Sequence, residues 1–560
     1  MRIVNRVLAT VLITLLGVSS VLAADSATAS VRNSEAATTV KEAVDRLIQR
    51  ERDLQQAMRR FHPMVETYFQ TVNRDDDLGT VPVNDRYFVG RLDLSDATKE
   101  SFYINVGPTG FRKLLGPVRR IYAIDFMPLG FSSMIFPDRG GFTRQSYYFQ
   151  FVRREFLGDV RCLVFQVTPK DQKAHGRFLG RIWVEDKDYS IVRFNGTYTR
   201  PQHGGYYFHM DSWRTNVQPG LWVPSEIYTE ESDLKYGVFG RRVSFKAQTR
   251  LWAYDLRHAG RQEEFTDIMV DSPASALKDR SDSTDWSPVT SLREWQREAE
   301  DNVLERLEKA SLLAPTSEVD KVLETVVNNL VITNNLDIQP EVRCRVLLTS
   351  PLETFTVGHT IVVSRGLLDV LPDEASLAMV LSHELAHIAM GDLVDARYAF
   401  SDRMMFADED TYSRFRFTRN EAQEQAADKR AIEFLKSSPY KDKLESAGLF
   451  LRQLDARAPY LANLNKPRLG NGLTGGGRVI RMTELMNSAP ALQMRDIRQV
   501  AALPLGGRIK LDPWDDHVEL KKTKPVPLQS IREKMPFEIA PVIPHLTRLN
   551  SADLAVNAGK

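Results

Sequence analysis

The chain has 560 residues, 42% hydrophobic and 26% charged, with 74 Lys and Arg against 73 Asp and Glu for a formal net charge of +1. That length exceeds what one hydrophobic core usually serves, so several domains are expected. The near-neutral balance gives no support to nucleic-acid binding or to strong electrostatic attachment to a membrane.

Met1-Arg2 and Arg6 make a basic start, Val7 to Leu16 an apolar run, and Val21-Leu22-Ala23 before Ala24 a small-residue cleavage site. This is the pattern of a secretory signal peptide over 1–23, with retention as an uncleaved anchor the alternative. Its removal takes away two arginines and leaves a formal charge of −1. No other stretch reaches the roughly 18 apolar residues of a membrane span, so the mature chain is expected to be exported, periplasmic or secreted, without a transmembrane segment. Residues 24–79 read as a Ser/Ala/Thr-rich disordered segment followed by a helix from Val40 to about Tyr68, with Leu47, Leu54 and Met58 at helical spacing.

Residues 80–275 have the texture of strands. Val243, Phe245, Ala247, Thr249, Leu251 and Ala253 alternate with Ser244, Lys246, Gln248, Arg250 and Trp252, which predicts a half-buried antiparallel sheet with one wet face. Turn residues at Gly158-Asp159, Pro201 and Pro219-Gly220 separate the runs. The aromatic residues Trp183, Tyr206, Tyr207, Phe208, Trp213 and Trp222 read either as sheet core or as the lining of an apolar cleft for a lipid or peptide. Cys162 and Cys344 are left open between a disulfide and two buried single thiols in different domains.

Residues 276–313 read as a Ser/Asp/Pro-containing linker and a helix from Glu294 to Leu313. Further on stands Ser382-His383-Glu384-Leu385-Ala386-His387-Ile388-Ala389. Two histidines four apart project from one helix face and can share a metal ion, while Glu384, about 100° round from His383, can reach a metal-activated water as general base. A chance H-E-x-x-H arises in on the order of one such chain in a hundred, so context decides. Pro372-Asp373-Glu374 before the run and Gly391 after it mark the two ends of a helix.

A catalytic zinc site of this type needs a third protein ligand. The stretch Asn420 to Ala431 predicts a second helix, continuing through Leu435, in which Glu424 and Asp428 are four apart. Glu424 can ligate while Asp428 accepts the spare ring N–H of a ligand histidine. Glu421, seven before Asp428, comes nearly back into line after two turns, so geometry alone leaves it open as the ligand. A tetrahedral intermediate also needs a stabiliser, for which His517 and Arg508 are the candidates beyond the metal helices. Past Leu464 the chain becomes Gly- and Pro-punctuated, and 465–560 is expected to wrap over the other domains. Its Gly475-Gly476-Gly477 trio, lacking a following Lys-Ser/Thr, predicts a flexible loop and no phosphate cradle.

His-Glu-Leu-Ala-His followed by the Glu424-x-x-x-Asp428 pair resembles the gluzincin metalloproteases of the HtpX-like and CAAX prenyl endopeptidase group. The resemblance covers roughly 300 to 460, with Val319 to Leu336 similar to the opening helix and Thr356 to Asp369 to the strand and turn before the first metal helix. It implies a mainly helical protease domain over 314–464, one Zn2+ per chain held by His383, His387 and Glu424, and Glu384 as the catalytic base. The chain departs from the family in reading Thr354-Phe355-Thr356 where Asn-Ala-Phe is common, and in lacking membrane-spanning helices and a helical-repeat appendage. Gly180 to Phe194, with Trp222-Val223-Pro224, faintly resembles the half-barrels that bacteria use to carry lipoproteins across the periplasm. The expected architecture is α+β and multidomain, an antiparallel half-barrel-like sheet followed by the protease. The expected activity is zinc-dependent hydrolysis of envelope or misfolded proteins, with lipid or lipoprotein contact through the β domain. The rival is a carrier or chaperone-like binding protein with a latent protease site.

Overall fold

A computed structural model of the chain describes residues 39–76, 79–94, 99–102, 131–256 (except 172, 175, 200–208 and 237–240), 288–392, 411–493, 496, 499, 509–511, 518–520, 537–541 and 543–549. The signal-peptide segment, the linker start, Tyr206 to Phe208, Arg508 and His517 lie outside the described residues. The architecture is α+β, a large antiparallel sheet followed by a mainly helical region. Among the described residues no helix is long and apolar enough to cross a membrane.

Thr39 caps α1 (Val40–Ala57) by accepting the Glu42 N–H. The helix expected to run to Tyr68 stops eleven residues earlier, because Pro63 disfavours helical backbone at His62 and starts the chain on an extended course. Tyr68 therefore lies in β1 (Met64–Asp75), which pairs with β2 (Gly79–Asp93) and, from the far end of the domain, with β10 (Arg241–Trp252). Between them run β3 (Lys99–Phe102), β4 (Tyr147–Leu157), β5 (Val160–Pro169), β6 (Phe178–Glu185), β7 (Ile191–Tyr198), β8 (His209–Gln218) and β9 (Leu221–Tyr236). The sheet order is β3-β2-β1-β10-β9-β8-β7-β6-β5-β4.

Alternation along each strand sends the two faces to different neighbours. Val65, Phe69, Phe245 and Leu251 pack beneath Leu47 and Leu54 of α1, whereas Met64, Tyr68, Tyr87 and Trp252 join the core of the helical region. The face of β10 expected to be wet is covered at its far end, where Arg250 and Trp252 are buried because another domain lies on them, while Ser244, Lys246 and Gln248 stay partly exposed. Trp183, Trp213 and Trp222 belong to a third cluster with Cys162 and Leu546, so these three are core and line no cleft. Cys162 and Cys344 are buried free thiols, one in each domain.

The helical region opens with α2 (Pro288–Lys309) and α3 (Glu318–Thr333), against the expected Glu294–Leu313 and Val319–Leu336. Three short strands follow, β11 (Arg343–Leu347), β12 (Thr354–Val357) and β13 (Thr360–Ser364), in the order β11-β13-β12, which leaves β12 at the edge. Helices α4 (Arg365–Val370), α5 (Glu374–Met390), α6 (Thr411–Arg414), α7 (Glu421–Lys436) and α8 (Leu444–Arg457) follow, with a short α9 (Thr483–Ser488) packed on α8. The glycine trio, expected to be a loose loop, instead closes a hairpin of β14 (Thr474–Gly475) and β15 (Arg478–Val479). Later stretches lie over the sheet: Gln70 bonds the backbone of Phe537 and Ile539, and Leu546 and Leu549 bond Asp159 and Asn216.

Candidate metal centre

Helix α5 is fixed at both ends by its own sequence. Asp373 accepts the Ser376 N–H at 2.9 Å as N-cap. At the other end Gly391 takes φ +75°, the left-handed backbone that lets the chain turn off while Gly391 and Asp392 N–H groups close on the last carbonyls. Between these ends His383 and His387 share one face, their rings edge to face with centroids 4.9 Å apart. Helix α7 begins with a reciprocal Asn420 and Gln423 cap and packs against α5, bringing Glu424 opposite both rings.

His383, His387 and Glu424 are all buried, and their candidate ligand atoms lie within 4.8 Å of one another. His383 Nε2 is 3.2 Å from Glu424 Oε2, and His387 Nε2 is 3.7 Å from Glu424 Oε1. The opposite ring nitrogens are each taken by a carboxylate: His383 Nδ1 lies 2.9 Å from Asp428 Oδ1, and His387 Nδ1 lies 3.1 Å from Asp392 Oδ2. These contacts fix both rings with Nε2 turned inward. Asp428 is in turn held by the Met482 N–H, and Asp392 by Gln423. Glu421, the alternative ligand, is exposed and pairs with Arg481, so it does not enter the triangle.

The electrostatics follow from burial. Burial disfavours the imidazolium of His383, but the Asp428 and Glu424 carboxylates outweigh it and push its pKa up to about 10. His387 is held below its ordinary value by burial, with Glu384 pulling the other way. Burial works to raise Glu424, yet His383 and then Arg481 keep its carboxyl below the usual range. Arg481 Nε lies 2.9 Å from Glu424 Oε2, out of line for a hydrogen bond, while its outer nitrogens donate to Glu421. Because a metal takes the neutral imidazole, proton and cation would compete for the same ring nitrogen.

Two buried polar atoms point to what the triangle takes. His387 Nε2 and Glu384 Oε2 have no hydrogen-bond partner among the described residues. An orphaned ring nitrogen facing a carboxylate and a second imidazole fits a metal ion, and an orphaned carboxylate oxygen on the same helix fits a water to be deprotonated. Glu384 Oε1 is occupied by the Thr354 hydroxyl at 2.6 Å. Asp392, Thr354, Asn471 and Arg481 escape a reading by spacing, because none shares a helical period with the motif. Only Asp392 leaves a signal, a carboxylate placed directly after the helix-ending glycine.

A buried pair of imidazoles and a carboxylate on two packed helices, with a further buried carboxylate alongside and an edge strand above, is the arrangement of a metal-dependent hydrolase. Residues 317–408 match the profile of Peptidase family M48, which supports a metallopeptidase; Glu424 lies beyond the matched segment. No curated protein matches the chain. Among solved structures it is similar to a DUF1329 family protein from Desulfovibrio piger, at 11% identity over 39% of this chain and 94% of that one, with a TM-score of 0.20. It is also similar to a LolA superfamily protein from Nitrosomonas europaea, at 11% identity over 38% and 92%, with a TM-score of 0.18.

Proposed function

We propose that this chain is an exported zinc endopeptidase that hydrolyses peptide bonds of unfolded or envelope proteins. The observation that carries the reading is the buried His383, His387 and Glu424 triangle with each outer imidazole nitrogen held by an aspartate. These three residues would hold one zinc ion, which when bound polarises the scissile carbonyl and makes water easier to deprotonate. Glu384 takes the proton from the attacking water at Oε2 and returns it to the leaving amine. The Nδ1 contacts keep both ligand rings in the tautomer that presents a lone pair at Nε2. The signal-peptide pattern over 1–23 supports export as the route to the place of action.

Glu384→Gln tests the reading. Zinc content of the purified chain is expected to stay near one ion, while cleavage of unfolded casein falls by about 100-fold or more, the usual worth of a general base. A variant that still cleaves removes Glu384 as the general base, and a wild type that holds zinc and cleaves no unfolded or envelope protein points instead to a binding protein.

A further inference from the structure

Across the edge of β12 two uncharged residues face each other. The Thr354 N–H donates to Asn471 O at 3.0 Å, and the Asn471 N–H donates to Thr354 O at 2.9 Å. Their side chains then diverge to the two halves of the site. The Thr354 hydroxyl donates to Glu384 Oε1 at 2.6 Å, and Asn471 Nδ2 donates to Glu424 Oε1 at 2.5 Å. Resting on the peptidase reading above, we propose that this bridge is a positioning device that registers the general base against the ligand carboxylate.

A terminal carboxylate torsion is broad and roughly two-fold, so a Glu held only by packing can present either oxygen. With Oε1 of Glu384 taken by Thr354, the oxygen left without a partner is Oε2. Asn471 likewise ties Oε1 of Glu424 on the side away from His383. Because the two donors are joined by a pair of backbone hydrogen bonds, neither carboxylate turns without straining the other's partner.

The bridge is built as a permanent part. Glu353, 1% exposed, accepts the N–H groups of Arg468, Leu469 and Gly470 on one oxygen at 2.8, 2.7 and 3.0 Å. Gly470 lies so near Thr354 that a Cβ there would stand 2.3 Å from its carbonyl oxygen, so only glycine admits the approach. Peeling the segment away would leave a buried carboxylate without donors, a cost that argues against a removable cover.

The test uses the full chain, zinc competition against a chromogenic chelator, and kinetics on unfolded casein. Thr354→Val is expected to lower kcat by about 100-fold with KM and zinc affinity within about twofold, as a misplaced base does. Thr354→Ser, which keeps the hydroxyl, is expected to recover most of that loss. Asn471→Ala leaves the backbone pair intact and is expected to weaken zinc binding about 10–100-fold. Three results overturn the proposal: a serine variant as impaired as the valine one, zinc affinity falling equally in both valine and alanine variants, or an alanine variant that cleaves faster than wild type. If the wild type binds zinc and hydrolyses nothing, the peptidase reading falls with the Glu384 half, and the chelator measurement on Asn471→Ala still decides the Glu424 half.

Discussion

At the level of single residues, the imidazole of His387 depends on an aspartate that no helical period identifies. Asp392 sits just past Gly391, and Arg419 holds the Asp392 carbonyl in place from the far side. Asp392→Ala is therefore expected to weaken zinc binding about 10–100-fold without loss of fold, read by chelator competition beside circular dichroism. An unchanged affinity would mean that packing alone orients the ring. His383, Glu384 and His387 are legible in sequence because one rigid helix converts spacing into direction, whereas spacing alone leaves Glu424 and Glu421 both open and only the family resemblance favours Glu424. Thr354, Asn471 and Arg481 reach the site from an edge strand and two loops, where spacing carries no direction, so only the assembled chain shows them.

Elements were legible where a local signal ends them. Helix α5 runs between its capping Asp373 and its left-handed Gly391, both visible in the sequence. Helix α1 shows the opposite: hydrophobic spacing continues past Ala57, but Pro63 hands the next apolar residues to β1, whose period of two can share positions with a period of 3.6 over a short run. At the start of α3, Ser317 and Asp320 cap each other, and burial raises the Asp320 carboxyl to about 6 against the Ser317 hydrogen bonds that lower it. The folded chain thus binds this proton more tightly than the unfolded one, whose value is near 3.8. The stabilisation from this group is complete below that value and is lost as pH rises through about 6. In urea denaturation from about pH 4.5 to about pH 7.5, the stability of wild type minus that of Asp320→Asn should fall by on the order of 2 kcal/mol. A difference that stays flat would show the carboxyl to be ordinary.

Over the whole molecule, the sheet and the helical region are joined by polar contacts inside a common apolar core. Arg250 Nε donates to Glu66 Oε2 at 2.9 Å, Arg250 also bonds the Ser350 hydroxyl at 2.6 Å, and the Ser350 N–H donates to Glu66 Oε1 at 2.7 Å. Glu66 is 1% exposed, so Glu66→Ala strands a buried guanidinium and should cost about 3–5 kcal/mol in chemical denaturation. Replacing both members, Glu66→Leu with Arg250→Met, should recover most of that loss. The alternating pattern of β10 announced a sheet and misjudged its second face, because a strand's sequence records that a face is half polar without recording which domain will cover it. A partner that brings its own serine and backbone donors makes arginine and glutamate acceptable there.

Asp85 of β2 accepts the N–H groups of Asn463 and Leu464 at 2.9 and 2.7 Å, a few residues before the run that reaches Asn471. The sheet thus serves as the jig on which that run is laid out. Excised from it, the helix pair would keep its imidazoles and its affinity for divalent ions yet lose the alignment that turns a chelator into a catalyst. The smallest unit with turnover should therefore span both halves, and grafting the motif helices onto a foreign scaffold should yield a metal binder alone.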